Sequence, residues 1–321
     1  MALFLSEKDI EQLGSMAEAM DAVRQVFVLA GREQVSNPPR QCIDLPHGTL
    51  RLTTAVIPSL ERMAVKVSST LVFKSNSGRL LILSDSESGR ILALLEVFQM
   101  GALRTGAAGG VATELLARRD ARTVGIFGSG RQARTQLWGV ASARTIERAT
   151  VLSPNPLHVA SFCAEMSARF HFPVVAAQSA EEVSAADIII TATTARQPVL
   201  FGSHLKAGTH VNAIGSNMLS RCELDDEAVG KFDLITVDHR EQAKQESAEL
   251  VGAVERGILA WDQVREIGEV AAGRISGRQR ESDITLFKSL GVAMEDVALA
   301  ARLYEMARER GVGVEIPLTE R

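Results

Sequence analysis

Apolar positions change their spacing twice in the first third of the chain. In "KDIEQLGSMAEAMDAVRQVFVLAG", residues 8–31, they recur every three or four residues. That period predicts one helix, with Gly31 as its stop. Beyond residue 48 the runs become short and β-branched. Residues 50–57 and 63–73 read as strands, "RLLILSD" as a third and "RILALLE" as a fourth, with a turn at 86–89. Together they predict a largely antiparallel sheet. Residues 98–117, rich in Ala and Gly, return to a helical pattern.

The stretch "RTVGIFGSGRQARTQL", residues 122–137, opens a second pattern. "TVGIF" is an apolar run suited to a buried parallel strand. Gly128, Gly130 and Ala133 follow with G-x-G-x-x-A spacing. The first glycine permits a tight turn, and the second lets a pyrophosphate approach the backbone. The alanine lets the next helix lie close to the strand. Ser129, Arg131 and Gln132 fill the same turn, where free N–H groups would face the phosphates. The competing reading is a glycine-rich strand–helix turn in an α/β protein that binds something else. "RATVLS", "FPVVAA", "ADIIITAT", "THVNAIG" and "FDLITVD" continue as short strands, the rhythm of a parallel sheet. "LFKSLGVAMEDVALAARLYEMARERG" then reads as one long amphipathic helix, beyond the last strand and returning to the first domain. The predicted fold class is α/β. A Rossmann-type dinucleotide-binding domain covers 119–289, and a discontinuous α+β domain covers 1–118 with 290–321.

The second strand of the parallel set ends in Ser153, Pro154 and Asn155. An NAD-specific strand ends in an acid that grips the ribose hydroxyls. Here no acid repels a 2′-phosphate and no arginine follows to neutralise one. Ser153 and Asn155 can hydrogen-bond either group, so the cofactor is NAD or NADP.

Composition narrows the partners. With 35 basic and 39 acidic residues the formal charge is −4, which gives no general attraction to nucleic acid or anionic membrane. No apolar run is long enough to span a bilayer, and the start "MALFLSEKDIEQL" turns acidic too early for a signal peptide. Three scattered cysteines fit a reduced, cytoplasmic setting. The six histidines form no metal-binding spacing, so no metal site is expected.

Seven segments together are more specific than the glycine turn: "MAVKVSS", "SGRILALLE", "LRTGAAGGVAT", "TVGIFGSGRQA", "ADIIITATTARQPVL", "GTHVNAIGSN" and "DITLFKSLGVAMEDVALA". On these segments the chain resembles the ornithine cyclodeaminase/mu-crystallin family over nearly its whole length. The resemblance implies an NAD(P)-dependent enzyme acting on a small imino or keto acid, and a homodimer joined through the first, substrate-binding domains. It implies that Arg40 and Arg104 clamp the substrate carboxylate, and that Lys66 stands between that carboxylate and the reacting carbon. It places Thr105 near the cofactor phosphates and Thr193 and Lys288 in the cofactor site, Lys288 within a segment closing one side of the cleft. Without the resemblance, a strand lysine and two arginines would be ordinary surface cations. The chemistry is coherent: an arginine fork binds a carboxylate in two hydrogen bonds, and an ammonium polarises C=N or C=O for hydride attack.

One departure shifts the expected reaction. Cyclodeaminases of this family carry an aspartate followed by Pro-Gly-Lys, where this chain has "GSNMLSRCELD" with Asn217 in the acid's place. An amide cannot act as a general base. Reduction of an imine needs no such acid, so the expected activity is NAD(P)H-dependent reduction of an α-imino acid to the L-amino acid. Iminosuccinate, pyrroline-2-carboxylate or another ketimine, and an alanine-type substrate stay open. So do cyclodeamination with release of ammonia and a non-catalytic ligand-binding role. His47, Arg51, Ser216, Asn217 and Arg221 are further polar candidates for the substrate pocket. They favour a second carboxylate unless Arg51 pairs with a surface acid and His47 merely caps a turn.

Overall fold

The computed structural model describes residues 1–69 and 79–318. Contacts divide the chain into two compact units, residues 1–104 with 291–321, and residues 105–290. No helix among the described residues is long and apolar enough to cross a membrane.

The first unit is built on a mixed sheet. Its strands are β1 (Ala2–Leu5), β2 (Gln41–Leu45), β3 (Gly48–Ile57), β4 (Arg62–Ser69), β5 (Leu80–Asp85), β6 (Ile91–Glu96) and β15 (Val314–Ile316), in the order β15-β1-β6-β5-β4-β3-β2. Only β1 and β6 pair in parallel among the described strands; the remainder is antiparallel, as the alternating pattern predicts. Positions 70–73 of the predicted second strand lie outside the described residues. The predicted first helix is two: α1 (Glu7–Leu13) and α2 (Met16–Gly31). The break falls at Gly14, where a Cβ would meet Ile10 O at 2.8 Å, and the Ser15 side chain accepts from Glu18 N to start the second helix. Helix α11 (Ala293–Arg310) packs on β3, β4 and α2. Its first three turns are buried nearly all round, Glu295 and Asp296 included.

The second unit carries a parallel sheet. Its strands are β7 (Thr123–Phe127), β8 (Arg148–Leu152), β9 (Val174–Ala176), β10 (Ile188–Thr191), β11 (His210–Ala213), β12 (Leu234–Val237), β13 (Val264–Glu266) and β14 (Thr285–Lys288). The order is β13-β12-β14-β11-β10-β7-β8-β9. The half running β9-β8-β7-β10-β11 is the doubly wound order of a dinucleotide-binding sheet. Residues 286–288 do not begin the last helix. They are the last strand of this sheet, inserted between β11 and β12, and α11 begins only at Ala293. The run "TLFK" is apolar because it is buried on both faces, and period alone does not separate such a strand from a buried helical turn.

A polar chain crosses this second core. His210 is fully buried, with Nδ1 2.9 Å from Thr285 Oγ1 and Nε2 3.2 Å from Asn212 Oδ1. Asn212 donates to Thr113 Oγ1, and Thr113 donates to Gly109 O on α3 (Phe98–Leu116). Burial, reinforced by the Arg278 guanidinium, pushes the imidazole pKa down to about 3. A folded-state value below the unfolded one gives stability that is present above about pH 6.5 and lost as pH falls toward 3. Thermal denaturation should therefore show falling stability from pH 7 to pH 5. His210→Gln should flatten part of that slope, and an identical slope in both proteins would show that His210 contributes nothing to it.

Candidate active site

In the first unit three elements bring four charged groups together. Lys66 lies on β4 opposite Thr53 of β3, Arg104 on α3, and Glu295 and Asp296 in the first turn of α11. The Lys66 ammonium donates to Asp296 Oδ2. Arg104 Nε donates to the other oxygen of Asp296 at 2.9 Å, and its Nη1 to Glu295 Oε2 at 2.9 Å. The Lys66 side chain keeps 13% of its surface and that of Asp296 1%. Arg40, half-buried, donates from Nη2 to Gly291 O at 2.7 Å.

The electrostatics follow from burial. Desolvation lowers the Lys66 pKa to about 8, helped by the cations of Arg104 and Arg40 and opposed by Asp296. Burial alone would raise the Asp296 carboxyl; the Arg104 and Lys66 charges overcome it and hold the group below its usual range. Burial alone would lower Arg104, but Asp296 and Glu295 drive it upward, so it stays charged at any working pH. The cluster is a fixed array of cations with its own counter-charges, the kind of preorganised field that binds a carboxylate.

In the second unit a cavity of about 660 Å³ opens at the carboxyl ends of β7, β8 and β10. Residues 127–130, 152–154 and 192–195 line it, together with His158 and Phe201. This is the point where the strand order reverses, the usual nucleotide crevice. Gly128 has φ +101°, and a Cβ there would stand 2.4 Å from Ala192 O. A Cβ on Gly130, by contrast, would meet nothing within 4 Å, so this glycine keeps open the space a phosphate needs. Gly130 is also the N-cap of α4 (Arg131–Ala143) and supplies no side-chain cap, which leaves the first-turn N–H groups to a ligand. These residues fit a dinucleotide pyrophosphate.

The loops around the cavity are held from behind. Glu223 is fully buried, and its carboxylate accepts from Thr191 Oγ1 at 2.9 Å, Thr193 N and Oγ1 at 2.7 Å, and Gly215 N at 2.8 Å. Its own N–H donates to Glu249 Oε1. Lys288 also has a fully buried side chain, with Nζ 2.6 Å from Ser216 O and 3.6 Å from Glu249 Oε2.

The expected site residues thus fall into groups. Lys66 and Arg104 are joined through Asp296, one on each of its carboxylate oxygens, and Arg40 stands close enough to act on the Lys66 charge. Gly128, Ser129, Gly130, Ser153 and Thr193 line the cavity. Arg131, Gln132 and Ala133 form the first turn of α4 behind it. Thr105 is buried, its carbonyl accepting from Gln136 Nε2.

Other expectations change. Asn155 caps α5 (Pro156–Phe170), its Oδ1 accepting from Leu157 N and His158 N, and does not line the cavity. Lys288 props the Ser216 carbonyl from inside the core and does not line it either. Ser216 turns its hydroxyl to Arg221 O at 2.6 Å, and Asn217 beside it is half-buried. His47 is exposed in the two-residue turn joining β2 to β3. It stands six positions from Thr53, roughly 20 Å along the strand from the level of Lys66. Sequence reasoning missed Glu295, Asp296, Glu223 and Glu249. Two adjacent acids inside the alanine-rich "AMEDVALAA" were the available signal for the first pair.

Comparison with known proteins identifies the family. A family model described as the ornithine cyclodeaminase/mu-crystallin family matches residues 1–311. The structure of Thermococcus litoralis Delta(1)-pyrroline-2-carboxylate reductase in complex with NADH and L-proline superposes with a TM-score of 0.92 at 38% identity, covering 98% of this chain and 100% of that one. An archaeal alanine dehydrogenase dimer with bound NAD gives 0.93 at 34% identity, covering 99% of each chain. Iminosuccinate reductase of Paracoccus denitrificans in complex with NAD+ gives 0.92 at 28% identity, also covering 99% of each. The chain belongs to the ornithine cyclodeaminase/mu-crystallin family.

Proposed function

We propose that the protein is an NAD(P)H-dependent oxidoreductase that reduces a small α-imino acid to the L-amino acid. The observation that carries this reading is the buried Lys66–Asp296–Arg104–Glu295 cluster. Binding proteins need no ammonium held at a lowered pKa beside a charged guanidinium. Arg40 and Arg104 bind the substrate carboxylate, and the Lys66 ammonium draws electron density from the reacting carbon toward the imine nitrogen. When bound, the nicotinamide supplies the hydride. The Gly128–Gly130 turn and the α4 N-terminus hold its pyrophosphate. The cavity lining contains no carboxylate, which supports acceptance of either NADH or NADPH.

Relatives with bound NAD or NADH support the cofactor, and those named for pyrroline-2-carboxylate and iminosuccinate reduction support the reaction. A homodimer is part of the reading. Among the described strands β2 stands at the sheet's edge, Ile43 on it is 49% exposed, and such an edge is normally covered. Purified protein should oxidise NADH or NADPH with α-imino acids, or with 2-oxo acids plus ammonia, and scatter light as a dimer. Ammonia release from ornithine with flat nicotinamide absorbance would replace the reductase reading with cyclodeamination.

A further inference from the structure

We infer that Arg51 selects the substrate: its guanidinium, beside Lys66 on one sheet face, receives the distal carboxylate of a dicarboxylic α-imino acid. This rests on the reductase reading and sharpens it. Arg51 sits on β3 opposite Ser68, and Lys66 sits opposite Thr53, so the two cations are diagonal neighbours on the same face of the β3–β4 pair. Diagonal positions on paired strands lie about 7–8 Å apart, within reach of long side chains. A four-carbon diacid held between an arginine and a lysine spans such a pair.

The Arg51 side chain is half-buried, yet it forms no ion pair or hydrogen bond among the described residues, and its Nε is buried without a partner. The surface-acid explanation for this arginine therefore fails. Even Asp44, the acid on the same face of β2, makes no ion pair with it. Two other arginines of this unit that are not exposed do reach acids: Arg62, whose Nε is also buried without a partner, approaches Asp85 and donates to the Glu61 carbonyl, and Arg104 is held by two acids. Thr53, between the two cations and 6% exposed, likewise has a buried Oγ1 with no partner. Buried polar atoms are nearly always satisfied. Two unsatisfied ones flanking Lys66 mark a place built for a polar, anionic group. A cyclic monocarboxylate would set its apolar ring against this guanidinium and leave the charge uncompensated.

The test compares the full-length enzyme with Arg51→Leu and Arg51→Lys. Turnover is measured with iminosuccinate, formed from the four-carbon 2-oxo diacid and ammonia, and with pyrroline-2-carboxylate. Binding of L-aspartate and of L-proline to the enzyme–NADH complex is measured by calorimetry. Arg51→Leu should lower kcat/KM for iminosuccinate about a hundredfold and leave the cyclic imine within about threefold, with partial recovery in Arg51→Lys. L-Aspartate binding should weaken in parallel and L-proline binding should not. Equal losses on both substrates, or no loss on either, overturn the assignment while leaving the reductase reading in place. Arg51-dependent L-aspartate binding without turnover of any imine would instead uphold the subsite and refute the reductase reading. Absence of both turnover and L-aspartate binding refutes both.

Discussion

Replacing Lys66 by methionine is expected to lower kcat/KM for the imino acid about a thousandfold, close to 4 kcal/mol of lost transition-state stabilisation. Methionine keeps much of the stem that lines the site and removes only the charged head. Asp296 retains its bond from Arg104 Nε, so the cluster loses its cation without losing its frame. A second signature follows from the lowered pKa of about 8. The active form is the ammonium, present below that value and lost above it. Wild-type activity should therefore fall about tenfold per unit once pH rises well past 8, and Lys66→Arg, permanently charged, should lack that limb whatever its absolute rate. An unchanged kcat/KM in Lys66→Met, or a wild-type profile flat to pH 10, would remove Lys66 from the chemistry.

The second large effect is expected from Glu223→Gln. Each carboxylate oxygen accepts two hydrogen bonds: Oε1 from Thr193 N and Oγ1, Oε2 from Thr191 Oγ1 and Gly215 N. An amide offers one acceptor and turns an NH2 group toward two donors. The threonine hydroxyl on that side can turn and accept from the NH2, but the backbone N–H beside it cannot, so one buried donor goes unmet at about 1–3 kcal/mol. Denaturant titration should show a loss of about 1–3 kcal/mol. Thr193 lines the nucleotide cavity, so NADH binding to the still-folded protein should weaken about tenfold, a loss of about 1.4 kcal/mol. NADH affinity equal to wild type would make Glu223 a stability residue alone.

How much of this was legible in the sequence depends on whether a residue's reason is local. Gly128 and Gly130 are dictated by a turn spanning a few residues, so that turn could be read directly, and both glycines line the cavity. Lys66 and Arg104 became meaningful only through the family resemblance. Nothing near "MAVKVSS" says that a carboxylate 230 positions later meets the lysine. Glu295 and Asp296 look like the solvated face of an amphipathic helix until one knows that this stretch of α11 is buried all round. Lys288 reads outward, toward the cofactor, for the converse reason: a lysine ending an apolar run ordinarily reaches solvent, and here it lies inside, 3.6 Å from Glu249 Oε2. The break at Gly14 was hidden because apolar period continues across it in both helices.

The position of β14 has a consequence for how the chain is made. During synthesis β11 and β12 leave the ribosome well before residues 285–288, yet they do not pair with each other; β14 stands between them. Until it arrives, each exposes an open edge of unpaired backbone groups, the kind of edge that invites aberrant pairing. The first unit waits as well, because its buried helix α11 is translated later still. Neither unit can reach its final form by growing outward from the N-terminus. A truncation before Thr285 would leave two interrupted architectures at once.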